Sequence, residues 1–349
     1  MNARTDIADR LLRWFEDHGR RDLPWQHPRS GYRVWVSEIM LQQTQVATVI
    51  DYFNAFMARF PDIHTLAEAP ADDVMRHWAG LGYYARARNL HAAAKQVVAE
   101  HGGELPADVD ALMTLPGIGR STAGAIRAQA FDAWAPILDG NAKRVLARYH
   151  GVDGAPGEAA FEKALWALAE RETPHERVAD YTQAIMDLGA TLCTRRNPDC
   201  PACPLSDDCV AYRQGRQHEI PAARRRKRRP LRHTRMLVLQ RGPDEILFQR
   251  RPPAGIWGGL WALPEVPAER DPETWCRDAL GLAPDAVREL EPLRHGFTHF
   301  ELEIRPLHMQ VEDAAGIMDA DDCAWHDRNA PPGVPAPIAR LIRRLPETP

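Results

Sequence analysis

Cys193-Thr194-Arg195-Arg196-Asn197-Pro198-Asp199-Cys200-Pro201-Ala202-Cys203-Pro204-Leu205-Ser206-Asp207-Asp208-Cys209 gathers four of the chain's six cysteines directly after a predicted helix ending near Leu192. Four thiolates at spacings of six, two and five residues can reach one centre. A structural zinc site remains the plain alternative, although zinc ribbons commonly carry two short Cys-x2-Cys pairs and this loop has one. So few cysteines in 349 residues fit reduced metal ligands better than a disulfide framework. The expectation is therefore a cytoplasmic protein with a metal centre.

Upstream of this loop, apolar residues recur at helical spacing over 7–18, 32–60, 71–78, 85–100, 109–115, 122–131, 140–150, 161–171 and 180–192, with Pro and Gly between them. Residues 1–215 read as a mostly α domain. The run Arg224-Arg225-Arg226-Lys227-Arg228-Arg229 cannot bury itself, and it marks a basic linker over 216–232. Beyond it, 235–240, 245–249 and the alternating 300–305 read as strands, so residues 233–346 form an α+β domain. A chain with 44% hydrophobic residues can fill two cores. No apolar run approaches the roughly 20 residues that span a bilayer, and the charged start, 1–13, lacks a signal-peptide core. A net charge of -4 argues against indiscriminate polyanion binding, so contacts to nucleic acid would need local basic clusters or oriented amides.

Three further stretches carry chemistry. Leu115-Pro116-Gly117-Ile118-Gly119-Arg120-Ser121 is a glycine-flanked turn running into a helix, and Gly117, Gly119 and Arg120 could bring amides and a cation to a phosphate. An ordinary helix-helix turn would look similar. Glu38 is the one carboxylate in the apolar stretch 35–41, where desolvation would keep it protonated as a general acid, unless it sits at an exposed helix edge. Asp139 precedes a helix starting near Gly140, which fits a second catalytic carboxylate or simply a helix cap.

Segments 35–46, 80–90, 115–125, 138–145 and 181–209, in this order, make the chain resemble the MutY-type adenine DNA glycosylases of the endonuclease III superfamily. The resemblance implies a helix-hairpin-helix glycosylase domain with the hairpin at about 112–131, a [4Fe-4S] cluster loop at 193–209, and a Nudix-like (MutT-like) lesion-recognition domain. Cys193, Cys200, Cys203 and Cys209 would ligate the cluster and help present Arg195 and Arg196 to DNA. Glu38 would protonate the leaving adenine, Asp139 would support the sugar cation, and Asn141 would position water or the sugar. Two carboxylates around an oxocarbenium-like centre suit glycosidic hydrolysis. Gln183 would hydrogen-bond the extruded base. A flipped base leaves a hole in the duplex, and Gln42, Gln43 and Tyr83 match the wedge elements that fill it.

Ser121 stands where strand-cleaving relatives carry a lysine nucleophile, so the resemblance implies a monofunctional enzyme, with Lys143 at most a weak adventitious Schiff-base former; a bifunctional glycosylase/lyase is the alternative. The stretch 255–265 begins like a Nudix signature, but Glu273-Thr274-Trp275-Cys276-Arg277-Asp278 leaves too few carboxylates in register for magnesium. Arg294-His295-Gly296-Phe297-Thr298-His299 is similar to the family's Phe-Ser-His loop, with threonine in the middle, and Phe297, Thr298 and His299 would read the lesion from a hairpin tip. The implied partner is double-stranded DNA with 8-oxoguanine:adenine or guanine:adenine mispairs, bound by a monomer without membrane contact. Truncation after Arg229 would remove lesion reading and spare the chemistry. A zinc-stabilised DNA-binding protein without catalysis and a nucleotide hydrolase are the readings outside this class.

Overall fold

The structure is a computed structural model describing residues 7–223, 228–252, 255–285, 287–311 and 322–345. Residues 224–227 of the basic run, residues 1–6 of the charged start and residue 346, where the second domain was expected to end, lie outside the described residues.

In chain order the helices are α1 (Ile7–His18), α2 (Gly31–Leu41), α3 (Val46–Arg59), α4 (Ile63–Glu68), α5 (Ala71–Trp78), α6 (Ala85–His101), α7 (Val109–Met113), α8 (Arg120–Phe131), α9 (Gly140–His150), α10 (Ala159–Glu172), α11 (Val178–Thr191) and α12 (Val210–Arg213). The chain divides into two compact units, residues 1–68 with 89–226 and residues 69–88 with 227–349.

The first unit is helical. Ile7, Leu11 and Phe15 form the inner stripe of α1, packed with Val145 and Leu146 of α9, Leu165 of α10, and Ile185 and Leu188 of α11. Ser30 opens α2 by accepting the Arg33 N–H, and Gly151 ends α9 at a φ of 67°, where a side chain would also strike Val210. The single helix expected over 32–60 is two. The polar run at 42–45 breaks it, with Gln43 at a φ of 60°, and the apolar residues at helical spacing on both sides concealed the break in the sequence. The short α4 follows Asp62, which accepts the Thr65 N–H at 2.7 Å.

The second unit contains the sheet strands β1 (Leu231–Arg241), β2 (Glu245–Arg250), β3 (Trp261–Ala262), β4 (Glu265–Val266), β5 (Arg288–Glu289), β6 (Leu293–Gly296), β7 (Glu301–Gln310) and β8 (Cys323–Asp327), with helices α13 (Pro272–Leu280) and α14 (Ala336–Ile342). The sheet is mixed, in the order β3-β2-β1-β7-β5, with β8 on β2, β4 on β1 and β6 on β7. Its parallel pair, β1 with β7, runs in register from Leu231↔Glu301 to Gln240↔Gln310. The exposed start of β1 has no amphipathic pattern of its own, so the ladder to β7 accounts for its beginning at Leu231.

Two boundaries differ from the reading by composition. Within the stretch read as linker, Ile220 is buried and its carbonyl accepts from Arg148 at 2.9 Å, so the chain stays packed on the first unit to that point. Residues 69–88 belong to the second unit, where Asp72 pairs with Arg250 and Arg88 donates to the Gly258 carbonyl at 2.5 Å. Truncation after Arg229 would therefore also strip α5 and the Tyr83 turn of their packing partners, and is not the clean deletion the linear sequence implied.

Candidate active site and cluster loop

In the first unit a cleft of about 740 Å³ is lined by Glu38, Gln42, Gln43, Ser121, Asp139, Asn141 and Gln183, which arrive from α2, the break at 42–45, α8, α9 and α11. Glu38 interrupts the buried stripe of Trp35, Val36, Ile39 and Met40 and lines this cleft. Burial, joined by the charge of Asp139, pushes it up to about 7 against a hydrogen bond from Gln129 Nε2 at 3.1 Å. Such a group holds a proton near neutral pH and is close to its own ionisation there. Asp139 caps α9, its Oδ1 accepting from the Ala142 N–H at 2.7 Å, and burial raises it while the Ala142 and Asn141 amides and the Arg144 charge oppose the rise. The cap that fixes the Asp139 carboxyl thus holds a residue that lines the cleft.

Asn141 Oδ1 accepts from Arg144 Nη2 at 2.8 Å, and α11 meets it at Gly189, where a Cβ would come within 2.6 Å of the Asn141 Cβ. Gln183 donates Nε2 to Asp187 Oδ1 at 2.7 Å, and the fully buried Asp187 also takes Arg20 Nη2 at 2.6 Å and Arg20 N at 2.8 Å. A carboxylate only accepts, so Asp187 fixes which end of the Gln183 amide points towards it and leaves the amide oxygen for other partners. Ser121 Oγ accepts the Leu138 N–H at 3.0 Å, one residue before Asp139. Lys143 is held by Glu162 at 2.7 Å. Gln42 Nε2 reaches Thr122 Oγ1 at 3.4 Å, while Gln43 is exposed.

Gln129, Asp187, Arg20 and Gly189 are the residues sequence reasoning missed. Asp187 lies one helical turn after Gln183, and Gln129 interrupts the buried stripe of Ala125, Ile126 and Ala128 on α8. Those polar positions inside apolar stripes were the available signals.

At the turn between α7 and α8, Gly117 has a φ of 82° and a Cβ there would come within 2.9 Å of the Asn89 Cβ, whereas a Cβ on Gly119 would meet open space. Gly119 opens α8 with no side-chain cap, leaving amides for an anion. The Arg120 guanidinium lies 3.9 Å from the centroid of the Trp166 ring and pairs with Glu170, so a phosphate would have to compete for it.

Cys193, Cys200, Cys203 and Cys209 are all partly buried and unpaired by disulfides. Burial, with the charge of the neighbouring thiols, raises Cys200 and Cys209 and pushes Cys203 up to about 12. Among the described residues no group of three or more His, Cys, Asp or Glu side chains is drawn together tightly enough to hold a single metal ion. The buried Arg148 donates to Cys193 Sγ at 3.3 Å and to the Thr194 carbonyl at 2.7 Å, bringing a cation to the thiol set. Four thiols that repel one another's charge, beside a fixed guanidinium, suit a cationic iron core that favours the thiolates. Arg195 and Arg196 on the same loop are exposed.

Tyr83 belongs to the second unit. It is 48% exposed at a φ of 50°, with the buried Arg86 guanidinium 5.5 Å from its ring and 5.3 Å from that of Trp78. Burial pushes Arg86 down to about 10. Strands β6 and β7 pair up to Gly296↔Glu301, and the Phe297 N–H donates to the Phe300 carbonyl at 2.9 Å to close the tip. Phe297 is half-buried, stacked on Phe300 at 4.6 Å and 5.7 Å from Trp257, while Thr298 and His299 are exposed. In α13, Asp278 pairs with Arg270 at 2.6 Å, and Asp271 caps the helix.

Residues 36–171 match the family described as the HhH-GPD superfamily base excision DNA repair protein, residues 193–209 the iron-sulfur binding domain of endonuclease III, and residues 235–344 the NUDIX domain. The chain is 34% identical over 337 residues to an adenine DNA glycosylase of Buchnera aphidicola subsp. Baizongia pistaciae, covering 96% of this chain and 95% of that protein. It is 34% identical over 370 residues to the adenine DNA glycosylase of Homo sapiens, covering 88% of this chain and 67% of that one. Among solved structures it is similar to a thermostable thymine-DNA glycosylase, with a TM-score of 0.53 and 29% identity over 59% of this chain and 95% of that chain.

Proposed function

The chain belongs to the adenine DNA glycosylases, with a [4Fe-4S] cluster, and from that premise we propose that it hydrolyses the N-glycosidic bond of adenine mispaired with 8-oxoguanine, or with guanine, in duplex DNA. The observation that carries this reading is the cleft that gathers Glu38, raised to about 7, Asp139 at the head of α9, and Gln183 oriented by Asp187. Glu38 gives a proton to the leaving base. Asp139 faces the positive charge that develops on the sugar. The amide oxygen of Gln183 suits the exocyclic amine of adenine, and Asn141, braced by Arg144, holds water or the sugar.

Gln42 and Gln43 fill the gap left by the flipped base, Tyr83 in the second unit acts as a wedge against the duplex, and the amides at Gly117 and Gly119, with Arg120 where it exchanges Glu170 for phosphate, grip the backbone. Cys193, Cys200, Cys203 and Cys209 hold the cluster. No helix of the described residues is long and apolar enough to cross a membrane. The enzyme acts as a monomer in the cytoplasm. The direct test is base release from one labelled duplex carrying 8-oxoguanine opposite adenine, with the abasic product revealed by alkali. A duplex left intact under single-turnover conditions would overturn the reading.

The reaction stops at the abasic site. Ser121 lacks an amine and is committed to the Leu138 N–H, and Lys143 is committed to Glu162. Ser121→Lys is expected to gain strand cleavage with a borohydride-trappable covalent complex, while base release slows by roughly tenfold because the Leu138 N–H loses its acceptor beside Asp139. Nicking by the unaltered protein without heat or alkali would make it bifunctional.

Lesion reading belongs to the β6–β7 tip. Phe297 braces the tip against Phe300 and Trp257, and Thr298 and His299 project from it. Phe297→Ala with His299→Ala is expected to slow adenine release opposite 8-oxoguanine about tenfold more than release opposite guanine, since only the first partner offers the altered imidazole edge to a hydrogen-bonding tip. Equal losses on the two substrates would assign the tip to general affinity.

A further inference from the structure

Gln129 lies on α8 with only 3% of its surface exposed, among Ala125, Ile126 and Ala128, and its Nε2 meets Glu38 Oε1 at 3.1 Å across the packed α2 and α8. An amide nitrogen only donates, so Oε1 must accept. An oxygen already accepting a hydrogen bond is the poorer site for a proton. We propose that Gln129 is a positioning residue for the acid, confining the proton of Glu38 to Oε2, the oxygen left for the extruded base. The inference rests on the reading of Glu38 as proton donor and adds what aims that donor.

The amide orientation decides the sign. With its nitrogen towards Glu38, Gln129 favours the carboxylate and speeds its release of a proton; with its oxygen there, it would accept the acid's proton and withhold it from the base. The other charged groups facing the cleft are Asp139, which raises Glu38, and Arg20, which pairs with Asp187. Behind them, Arg144 acts on Asp139. None of these donates to Glu38 as Gln129 does.

The test is the pH profile of single-turnover base release by Gln129→Met, which keeps the length of the side chain and removes the donor. The alkaline limb is expected to move up by about one pH unit, and the plateau to fall by roughly tenfold. Gln129→Asn, which keeps an amide that cannot reach, is expected to give the same upward shift, with unfolding and visible cluster absorbance as checks on packing. A limb that stays put or moves down in both variants overturns the proposal. Glu38→Gln separates the premise from the inference. A limb that persists there removes Glu38 as the acid, whereas one that vanishes there but stays fixed in the Gln129 variants removes only the role of Gln129.

Discussion

Glu38→Gln is expected to bind mismatched duplex with near-normal affinity and to lose base release by about two to four decades, the range associated with a positioned general acid. The substitution keeps the shape of the side chain and an acceptor for Gln129, so the loss isolates the proton. In the unaltered protein, release should fall as pH rises past about 7, where Glu38 ionises, and should also fall at low pH as Asp139, itself raised, becomes neutral. The same burial predicts a stability effect of definite sign. Folding raises Glu38 from 4.5 to about 7, so its favourable contribution is complete below pH 4.5 and is lost as pH rises through about 7. Above that pH the buried charge costs on the order of 3 kcal/mol, at roughly 1.4 kcal/mol per unit. Glu38→Gln should therefore unfold at a higher temperature than the unaltered protein at pH 8, and the advantage should shrink towards pH 4.5. Near-normal turnover would remove Glu38 from the chemistry, and parallel unfolding at both pH values would remove burial as the source of its shift.

What the sequence disclosed follows from how local each feature is. Glu38 was legible because it is a lone carboxylate in an apolar stripe, and the cysteine loop because its ligands lie within one short segment. The helical and mixed α+β character of the two halves followed from the change in apolar period near residue 230. The break at 42–45 was hidden because apolar residues recur at helical spacing on both sides of it, although its glutamines had been singled out for other reasons. Pairings at long range left no such trace. Asp72 with Arg250, Arg88 with Gly258, and Gln129 with Glu38 join residues far apart in the chain, and hydropathy carries no information about which distant polar groups meet. Nor does hydropathy reveal that the missing side chain of Gly189 lets α11 approach Asn141.

Asp139→Asn should separate the two roles that this position combines. As a cap, the side chain needs only an acceptor for the Ala142 N–H, and asparagine serves about as well as aspartate at a helix N-terminus. As a catalytic group it must carry negative charge towards the sugar as positive charge develops there, and asparagine cannot. The variant is therefore expected to keep its cooperative unfolding and its cluster, because it retains the cap and sheds a carboxylate whose ionisation burial opposes. Base release should nevertheless fall by about two to three decades, the scale of losing one preorganised electrostatic stabiliser. Asp139→Ala supplies the contrast: it loses the charge and the cap together, so it should lose activity to a similar extent and, in addition, about 1 kcal/mol of stability. Activity in Asp139→Asn within about threefold of the unaltered protein, alongside a large loss in Asp139→Ala, would mean that Asp139 shapes the head of α9 and that the sugar cation is met by some other group in the cleft.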